Sequence, residues 1–266
     1  MRLLNHLKEL HDWPCYRTRP VDALRYTYSK WIYSRHRVVS AEEFLKGIGI
    51  SADVAFDGFA KWNAPLSKML AEEQAASGLQ GGVSLEDGMV LYGVTRALRP
   101  RYVIETGVAA GISTSFIGAA LIENGEGSLW SIELPPAESA AGLHADGGVF
   151  AWPDRGVGWA QPPEIRSRMA GRHTLILEDV RTALPRVIQK LPRIDLFFHD
   201  DLHTPDHMLW EYRLVWPRLG PNGVLLSDDA NFGWVRFCSE HRPALNSRRG
   251  TNMQRLTGAR KAVEAC

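Results

Sequence analysis

The sequence predicts a doubly wound α/β fold with a mostly parallel sheet, and three observations lead to this prediction. Short apolar runs with β-branched residues recur from position 102 onward, as in buried strands. Helix-like stretches separate these runs, and strand-helix alternation gives parallel strands joined by crossover helices. Acidic residues close the apolar runs, so charge is expected at the carboxyl edge of the sheet, where such sheets bind ligands.

Five apolar runs are predicted as the parallel strands, and three amphipathic stretches as the helices between them. The strands are Tyr102–Thr106, Ser128–Glu133, Thr174–Glu178, Asp195–His199 and Gly223–Ser227. The helices are Ser113–Asn124, Val180–Lys190 and Pro205–Leu219. After the fifth strand, Arg242–Ser247 and Gln254–Arg260 can form a short antiparallel pair that brings the sheet to seven strands.

The chain is predicted to have an N-terminal helical extension over residues 1–82 and a main domain over 83–266. The extension is expected to cap the domain or to form a homo-oligomer contact. The main domain opens on a helix over Val83–Leu98, which Ser84 can cap, with Asp87 three residues later as a weak variant of the capping box. Residues 135–170 are rich in Gly, Pro and Ala and too long for an ordinary connection, so we expect a lid or loop on the substrate side.

Composition excludes several classes of protein. The 266 residues have a formal net charge of +1, so no overall field would draw the chain to nucleic acid or to a membrane surface. The cysteines Cys15, Cys238 and Cys266 are too far apart for a disulfide framework or a thiolate zinc site. No apolar run approaches a membrane span, and the first residues do not resemble a signal peptide. A cytoplasmic protein with a small-molecule partner is expected.

A glycine-rich turn joins the first strand to the next helix. In the segment Glu105–Ser113, Gly107 permits a tight turn and close approach of a ligand, while the helix start offers free N–H groups. The glycine spacing is G-x-x-x-G, whereas dinucleotide-binding dehydrogenases carry G-x-G-x-x-G. The turn therefore predicts a nucleotide-type pocket in which Gly107, Gly111 and Ser113 contact the ligand.

Acidic residues follow the second and third strands in the order that an adenosine group requires. Glu133 is placed to accept hydrogen bonds from both hydroxyls of a ribose. Glu178 and Asp179 are placed beside the amino group of an adenine. Each residue also has a structural explanation, because Glu133 could be a solvated strand end and Glu178 and Asp179 could cap the following helix.

The motif Glu105-x-Gly107-x-x-x-Gly111 resembles motif I of class I S-adenosylmethionine (SAM)-dependent methyltransferases. The segments 194–204 and 216–229 resemble the metal-dependent O-methyltransferase branch, which includes the macrocin O-methyltransferase and cephalosporin-hydroxylase-like families. The resemblance implies a Rossmann-like methyltransferase sheet and methyl transfer to a hydroxyl of a sugar, phenol or secondary metabolite. It implies a SAM site formed by Glu105, Gly107, Gly111, Ser113, Glu133, Glu178, Asp179 and Asp200.

Three further carboxylates are expected to meet at the edge of the sheet. Asp200 follows the fourth strand, and Asp228 and Asp229 follow the fifth. Three converging anions would repel one another without a cation, and an all-oxygen ligand set favours Mg²⁺; the resemblance implies the same three ligands. Zinc is the alternative, because His199, His203 and His207 recur every four residues, but a strand, a turn and a helix should not present one common face.

The residues leave two candidates for a general base, His203 and Asp201. An imidazole just beyond the metal-binding turn could remove a proton from a substrate hydroxyl, or it could orient the metal-binding carboxylates. The competing functions are an NAD(P)-dependent oxidoreductase, which the glycine spacing disfavours, and a noncatalytic SAM-binding module. An iron hydroxylase is a third alternative, but the expected set of two histidines and one carboxylate is not recognisable in the sequence.

Overall fold

The computed structural model describes residues 40–77, 83–135, 155–228, 232–241, 248–249 and 257–260. In these ranges the strands form one mixed sheet in the order β3-β2-β1-β4-β5-β7-β6. The strands are β1 (Tyr102–Thr106), β2 (Ser128–Glu133), β3 (His173–Leu177), β4 (Ile194–His199), β5 (Leu219–Ser227), β6 (Arg248–Arg249) and β7 (Thr257–Arg260).

The first five strands are parallel, as the sequence predicts. The short strand β7 runs antiparallel beside β5, and β6 pairs with β7. The strand order reverses between β1 and β4, and ligands in open α/β sheets bind at the carboxyl ends of the strands around such a point. This edge is where the glycine turn and the acidic residues lie.

Helices cover both faces of the sheet and bury two apolar clusters against it. They are α1 (Ala41–Gly47), α2 (Ala52–Ala55), α3 (Ala60–Ser77), α4 (Leu85–Leu98), α5 (Ile112–Asn124), α6 (Pro163–Arg168), α7 (Val180–Lys190), α8 (Pro205–Val215) and α9 (Phe232–Glu240). The first six contribute to one cluster, and α7, α8 and α9 contribute to the other.

The described part of the N-terminal extension packs on the main domain of the same chain. Phe44, Leu45, Trp62 and Leu66 are buried in the cluster that also holds residues of α4 and α5. Glu123 of α5 accepts hydrogen bonds from the side chains of Lys61 and Trp62. The predicted contact with a second subunit through the extension is untested by these contacts, and residues 1–39 lie outside the described ranges.

Local sequence explains where most of these elements begin. The hydroxyl of Ser84 accepts a hydrogen bond from the backbone of Asp87 at the start of α4, as predicted. Ser40 and Glu43 form a complete capping box at the start of α1, in a region where no individual helix was predicted. The predicted helix from Pro205 to Leu219 is too long, because Pro217 has no N–H to donate and the chain changes to a 3₁₀ turn after Val215.

Part of the predicted lid belongs to the packed domain. Ile165 and Met169, at the end of the 135–170 segment, are buried against α5, and Gly118 leaves room for both side chains. The helix α6 therefore packs on the domain, the lid role of the 135–170 segment stays a prediction, and residues 136–154 lie outside the described ranges. The predicted strand Arg242–Ser247 also lies outside them. None of the described helices is long and apolar enough to cross a membrane.

Candidate cofactor and metal site

The register of the sheet brings four strand ends to the same level. Thr106 at the end of β1 pairs with Ile132 of β2 and with His199 of β4, and His199 pairs with Ser227 of β5. The next residues of these strands are Glu133, Gly107, Asp200 and Asp228. The predicted cofactor residues and two predicted metal ligands therefore form one row across the edge of the sheet.

Backbone hydrogen bonds extend the parallel ladder to this row. Gly107 donates to the carbonyl of Ile132 at 3.0 Å, Asp200 donates to Thr106 at 2.8 Å, and Asp228 donates to His199 at 2.9 Å. These bonds fix the backbone of the row before any ligand is present. The functional side chains thus start from rigid positions, as binding sites require.

The two glycines of the turn are needed for different reasons. Both have positive φ, 82° at Gly107 and 88° at Gly111. A Cβ at Gly107 would collide with the backbone carbonyl of Asp200, whereas a Cβ at Gly111 would lie 2.6 Å from Cγ of Gln161. Gly107 therefore leaves room for the turn that follows β4, residues 200–203, which we call the metal-side turn. Gly111 leaves room for a segment that the sequence analysis did not connect with this site.

That segment consists of residues 158–161 and crosses the glycine turn. Gly158 donates a backbone hydrogen bond to Ala109, and Ala160 donates one to Ala110. Arg166 of α6 donates to the carbonyl of Gly158, which ties the segment to the domain. These contacts join residues far apart in the chain, and nothing in the glycine motif itself indicates them.

Glu133 is held against the glycine turn. Its Oε2 accepts hydrogen bonds from the backbone of Val108 at 2.7 Å and of Ala109 at 2.8 Å, while Oε1 accepts one from Leu134 at 2.9 Å. A carboxylate has about four acceptor positions, so one remains at Oε1. Burial raises the pKa of Glu133, although the three N–H donors oppose this effect.

Glu105 and Ser113 lie beneath the turn. Glu105 is fully buried and accepts hydrogen bonds from the hydroxyls of Ser113, Thr114 and Ser131. Burial raises the pKa of Glu105 to about 7, and the charge of Asp200 acts in the same direction. Both residues were predicted to contact the cofactor, but their placement favours a supporting role in which they fix the start of α5 to the sheet.

The acidic pair after β3 has the structural contacts that were the alternative to adenine binding. The carboxylate of Asp179 accepts a hydrogen bond from the backbone of Arg181 at 2.7 Å and caps α7. Glu178 forms an ion pair with Arg186 of the same helix. Neither contact prevents a ligand from binding beside these residues, so their predicted role near an adenine is untested.

Asp200, His203 and Asp228 form a group that can hold a cation. One ligand atom from each lies within 4.8 Å of the others, and Nε2 of His203 is 3.6 Å from Oδ1 of Asp200. Two carboxylates and one imidazole suit a divalent ion such as Mg²⁺ or Mn²⁺. Asp229, the third predicted ligand, lies outside the described residues.

A second cluster lies beneath the metal-side turn and contains Asp201, His207 and Glu211. Nε2 of His207 is 3.4 Å from Asp201 and 3.2 Å from Glu211. Burial lowers the pKa of His207, but hydrogen bonds and charges from these two carboxylates outweigh it and raise the pKa to about 9. His207 is thus a buried histidine that is held between two acidic side chains.

The three histidines of the zinc alternative do come together. The ring of His199 lies 5.5 Å from that of His203 and 6.5 Å from that of His207, centre to centre. The rings lie close together although the three residues belong to a strand, a turn and a helix, because α8 folds back over the end of β4. Both metal-compatible groups among the described residues nevertheless combine one histidine with two carboxylates, which does not match a three-histidine zinc site.

Comparisons with known proteins agree with this geometry. Residues 104–230, which span β1 to the end of β5, match a family model described as a methyltransferase domain. This part of the chain is therefore similar to a methyltransferase domain. No curated protein matches the sequence. The family match covers the glycine turn, both acidic clusters and the segment over the turn.

Solved structures share the fold at low sequence identity. A protein from Klebsiella pneumoniae described as a putative O-methyltransferase has a TM-score of 0.52 and 15% identity, covering 75% of this chain and 90% of its own. An O-methyltransferase from Bacillus cereus in complex with SAH (S-adenosylhomocysteine) gives 0.52 and 15%, covering 75% and 91%. A cofactor-bound protein from MTB gives 0.52 and 17%, covering 76% and 91%. These neighbours show that the chain has the fold of these proteins.

Proposed function

We propose that this protein transfers a methyl group from SAM to a hydroxyl of a small molecule with the help of a divalent cation. The observation that carries the proposal is the level row of Glu133, Gly107, Asp200 and Asp228 along the sheet edge. Its first half suits an adenosine group, and its second half suits a cation. A donor bound at one half would lie beside an acceptor bound at the other.

The cofactor half of the row fits SAM in one defined way. Oε1 of Glu133 retains one acceptor position, so we expect it to bind one ribose hydroxyl rather than both. Gly107 and Gly111 shape the turn along the bound cofactor, while Glu105 and Ser113 hold it from below. Glu178 and Asp179 would flank the adenine, and Asp200 would face the methionine portion of SAM.

The metal half would hold Mg²⁺ through Asp200, Asp228 and Asp229. Such an ion would supply Lewis-acid chemistry that lowers the pKa of a substrate hydroxyl. Asp200 and Asp228 follow two adjacent strands, and the backbone hydrogen bond from Asp228 to His199 keeps the ends of those strands level. The hydroxyls of Tyr212 and Ser227 form a hydrogen bond directly behind Asp228, which supports this position.

Transfer requires a base for the hydroxyl proton. With the cation assigned to the three carboxylates and not to His203, His203 is the better placed of the two candidates. The carboxylate of Asp201 is engaged by His207, whereas His203 lies partly exposed beside Asp200. The C–S bond to the methyl group breaks as the C–O bond forms, SAH leaves, and the imidazole of His203 accepts the proton. The acceptor is expected to be a sugar, a phenol or another secondary metabolite, and the cytoplasm is the expected compartment.

Calorimetric titration with SAH and with NAD⁺ tests the cofactor assignment, and methyl transfer from SAM to a panel of phenols and sugars tests the reaction. We expect SAH to bind and NAD⁺ not to bind, and transfer to require Mg²⁺. Asp228→Asn should abolish the response to Mg²⁺ while SAH still binds. Glu123→Gln, which changes a carboxylate on the far end of α5, should retain both properties. Equal activity after exhaustive chelation would refute the metal-dependent mechanism, and binding of NAD⁺ alone would refute the proposed function.

A further inference from the structure

We propose that Glu211 is a positioning residue that holds the cofactor turn and the metal-side turn in one fixed relation. Glu211 lies in the middle of α8 and is fully buried. It does not belong to the row of residues that would contact SAM or the cation. The inference rests on the proposed function for its account of ligands, but its geometric basis is independent of that function.

One carboxylate oxygen joins the ends of two strands. Oε2 of Glu211 accepts a hydrogen bond from the hydroxyl of Thr106 at 2.9 Å and contacts Nδ1 of His199 at 2.7 Å. Thr106 directly precedes Gly107, and His199 directly precedes Asp200. The same oxygen therefore holds the last strand residue before the glycine turn and the last one before the metal-side turn.

The other carboxylate oxygen reaches the metal-side turn by a second route. Oε1 of Glu211 lies 3.2 Å from Nε2 of His207, which also faces Asp201 at 3.4 Å. His207 lies four residues before Glu211 on α8, so the two side chains lie side by side and face the metal-side turn. Glu211 thus acts on Asp200 from the preceding residue and on Asp201 from the side.

The electrostatics of this arrangement favour a single geometry. A buried carboxylate is costly unless hydrogen-bond donors and opposite charge compensate it. Burial raises the pKa of Glu211, but the contacts with His199 and His207 lower it, so these contacts favour the carboxylate form. Moving either turn away would remove a donor from a buried anion. We therefore infer that the position of each turn depends on the other through Glu211.

The experiment compares Glu211→Gln with Glu123→Gln, which makes the same chemical change in a carboxylate that accepts Lys61 and Trp62 away from the site. Hydrogen exchange of the ligand-free proteins is measured at residues 106–109 and 199–203. Affinities for SAH and for Mn²⁺ are then measured separately and together. Thr106→Val serves as a second variant, which removes one donor to Glu211 but keeps its carboxylate and both histidine contacts.

In Glu211→Gln we expect faster exchange in both segments and losses of about 10- to 100-fold in the affinities for SAH and Mn²⁺, as is typical for partners behind a metal ligand. The ratio between the SAH affinities measured with and without Mn²⁺ should move toward one in this variant. Thr106→Val should show the same changes to a smaller extent and decides the matter if Glu211→Gln does not fold. Glu123→Gln should show none of them.

Unchanged exchange in either segment, or a loss confined to one ligand, would overturn the coupling role. So would changes of equal size in Glu123→Gln, because they would reflect general loss of stability. If the unaltered protein bound neither SAH nor Mn²⁺, the proposed function would fail. The exchange comparison would still show whether Glu211 holds both turns.

Discussion

Gly107 and Asp200 are in direct backbone contact, because Gly107 has no side chain at the point where the carbonyl of Asp200 passes it. The contact joins the turn after β1 to the turn after β4, and the backbone bond from Asp200 to Thr106 lies beside it. The glycine that the sequence analysis assigns to a nucleotide-type pocket therefore also determines how closely the metal-side turn approaches.

Gly107→Ala is expected to disrupt both halves of the site. The new Cβ would meet the Asp200 carbonyl, and positive φ would add strain of roughly 1–2 kcal/mol. Gly125→Ala is the matched control, since φ is 72° there but nothing lies within 4 Å of the added carbon. Urea denaturation and SAH titration should show a larger loss of stability and affinity in Gly107→Ala. Equal behaviour of the two variants would mean that only backbone strain matters.

Glu105→Gln is expected to change how stability depends on pH. Because burial raises the pKa of Glu105 to about 7 in the folded protein, its contribution to stability is complete below about pH 4.5 and is lost as the pH rises to about 7. A glutamine carries no such dependence. The stability of the unaltered protein relative to the variant should therefore fall by on the order of 3 kcal/mol across this window.

Urea denaturation of both proteins between pH 4.5 and 8 checks this expectation. Glu123→Gln is a suitable comparison. Burial raises the pKa of Glu123, but Lys61 and Trp62 lower it by more, so the pKa lies below its usual value. The contribution of Glu123 to stability is lost only as the pH falls. The stability of the unaltered protein relative to Glu123→Gln should therefore stay constant above about pH 5. Parallel stability curves for the unaltered protein and Glu105→Gln would contradict the inferred burial of a neutral carboxyl group.

Glu133→Gln is expected to weaken SAH binding about 10- to 100-fold, the range for a lost hydrogen bond to a charged group. The amide would remove the free acceptor position at Oε1 or direct a donor at the N–H groups of Val108 and Ala109. Glu126→Gln, which alters a surface pair with Arg99, is the control for charge. Isothermal titration measures both, and an affinity within threefold of the unaltered protein in Glu133→Gln would exclude a ribose contact.

The elements that the sequence predicts best are those whose boundaries have a local cause. The bounds of β1 and β2 agree with the prediction because each is an apolar run that ends at an acid or a glycine turn. The prediction for α7 also agrees, since Asp179 caps it. The end of α8 was placed too late because the apolar pattern continues past Pro217 into β5, which follows without a polar interval.

The residues of the candidate site divide in the same way. Strand-tip acids such as Asp200 and Asp228 are recognisable because their position follows from the period of the sheet. Glu211 was not recognised, since an acid within an amphipathic helix is usually solvated and its burial depends on contacts with β1 and β4. Gln161 was not predicted as part of the site for a similar reason, because it lies against Gly111, which is fifty residues away in the chain.

His207→Gln is expected to lower stability at neutral pH but much less under alkaline conditions. Burial lowers the pKa of His207, yet Asp201 and Glu211 raise it to about 9. Its contribution as a cation is therefore complete below about pH 6.5 and is lost as the pH rises to about 9. Glutamine can still donate one hydrogen bond but carries no charge. Thermal unfolding at pH 6, 7.5 and 9 should show the two proteins converging, and a constant difference would indicate that His207 contributes through packing alone.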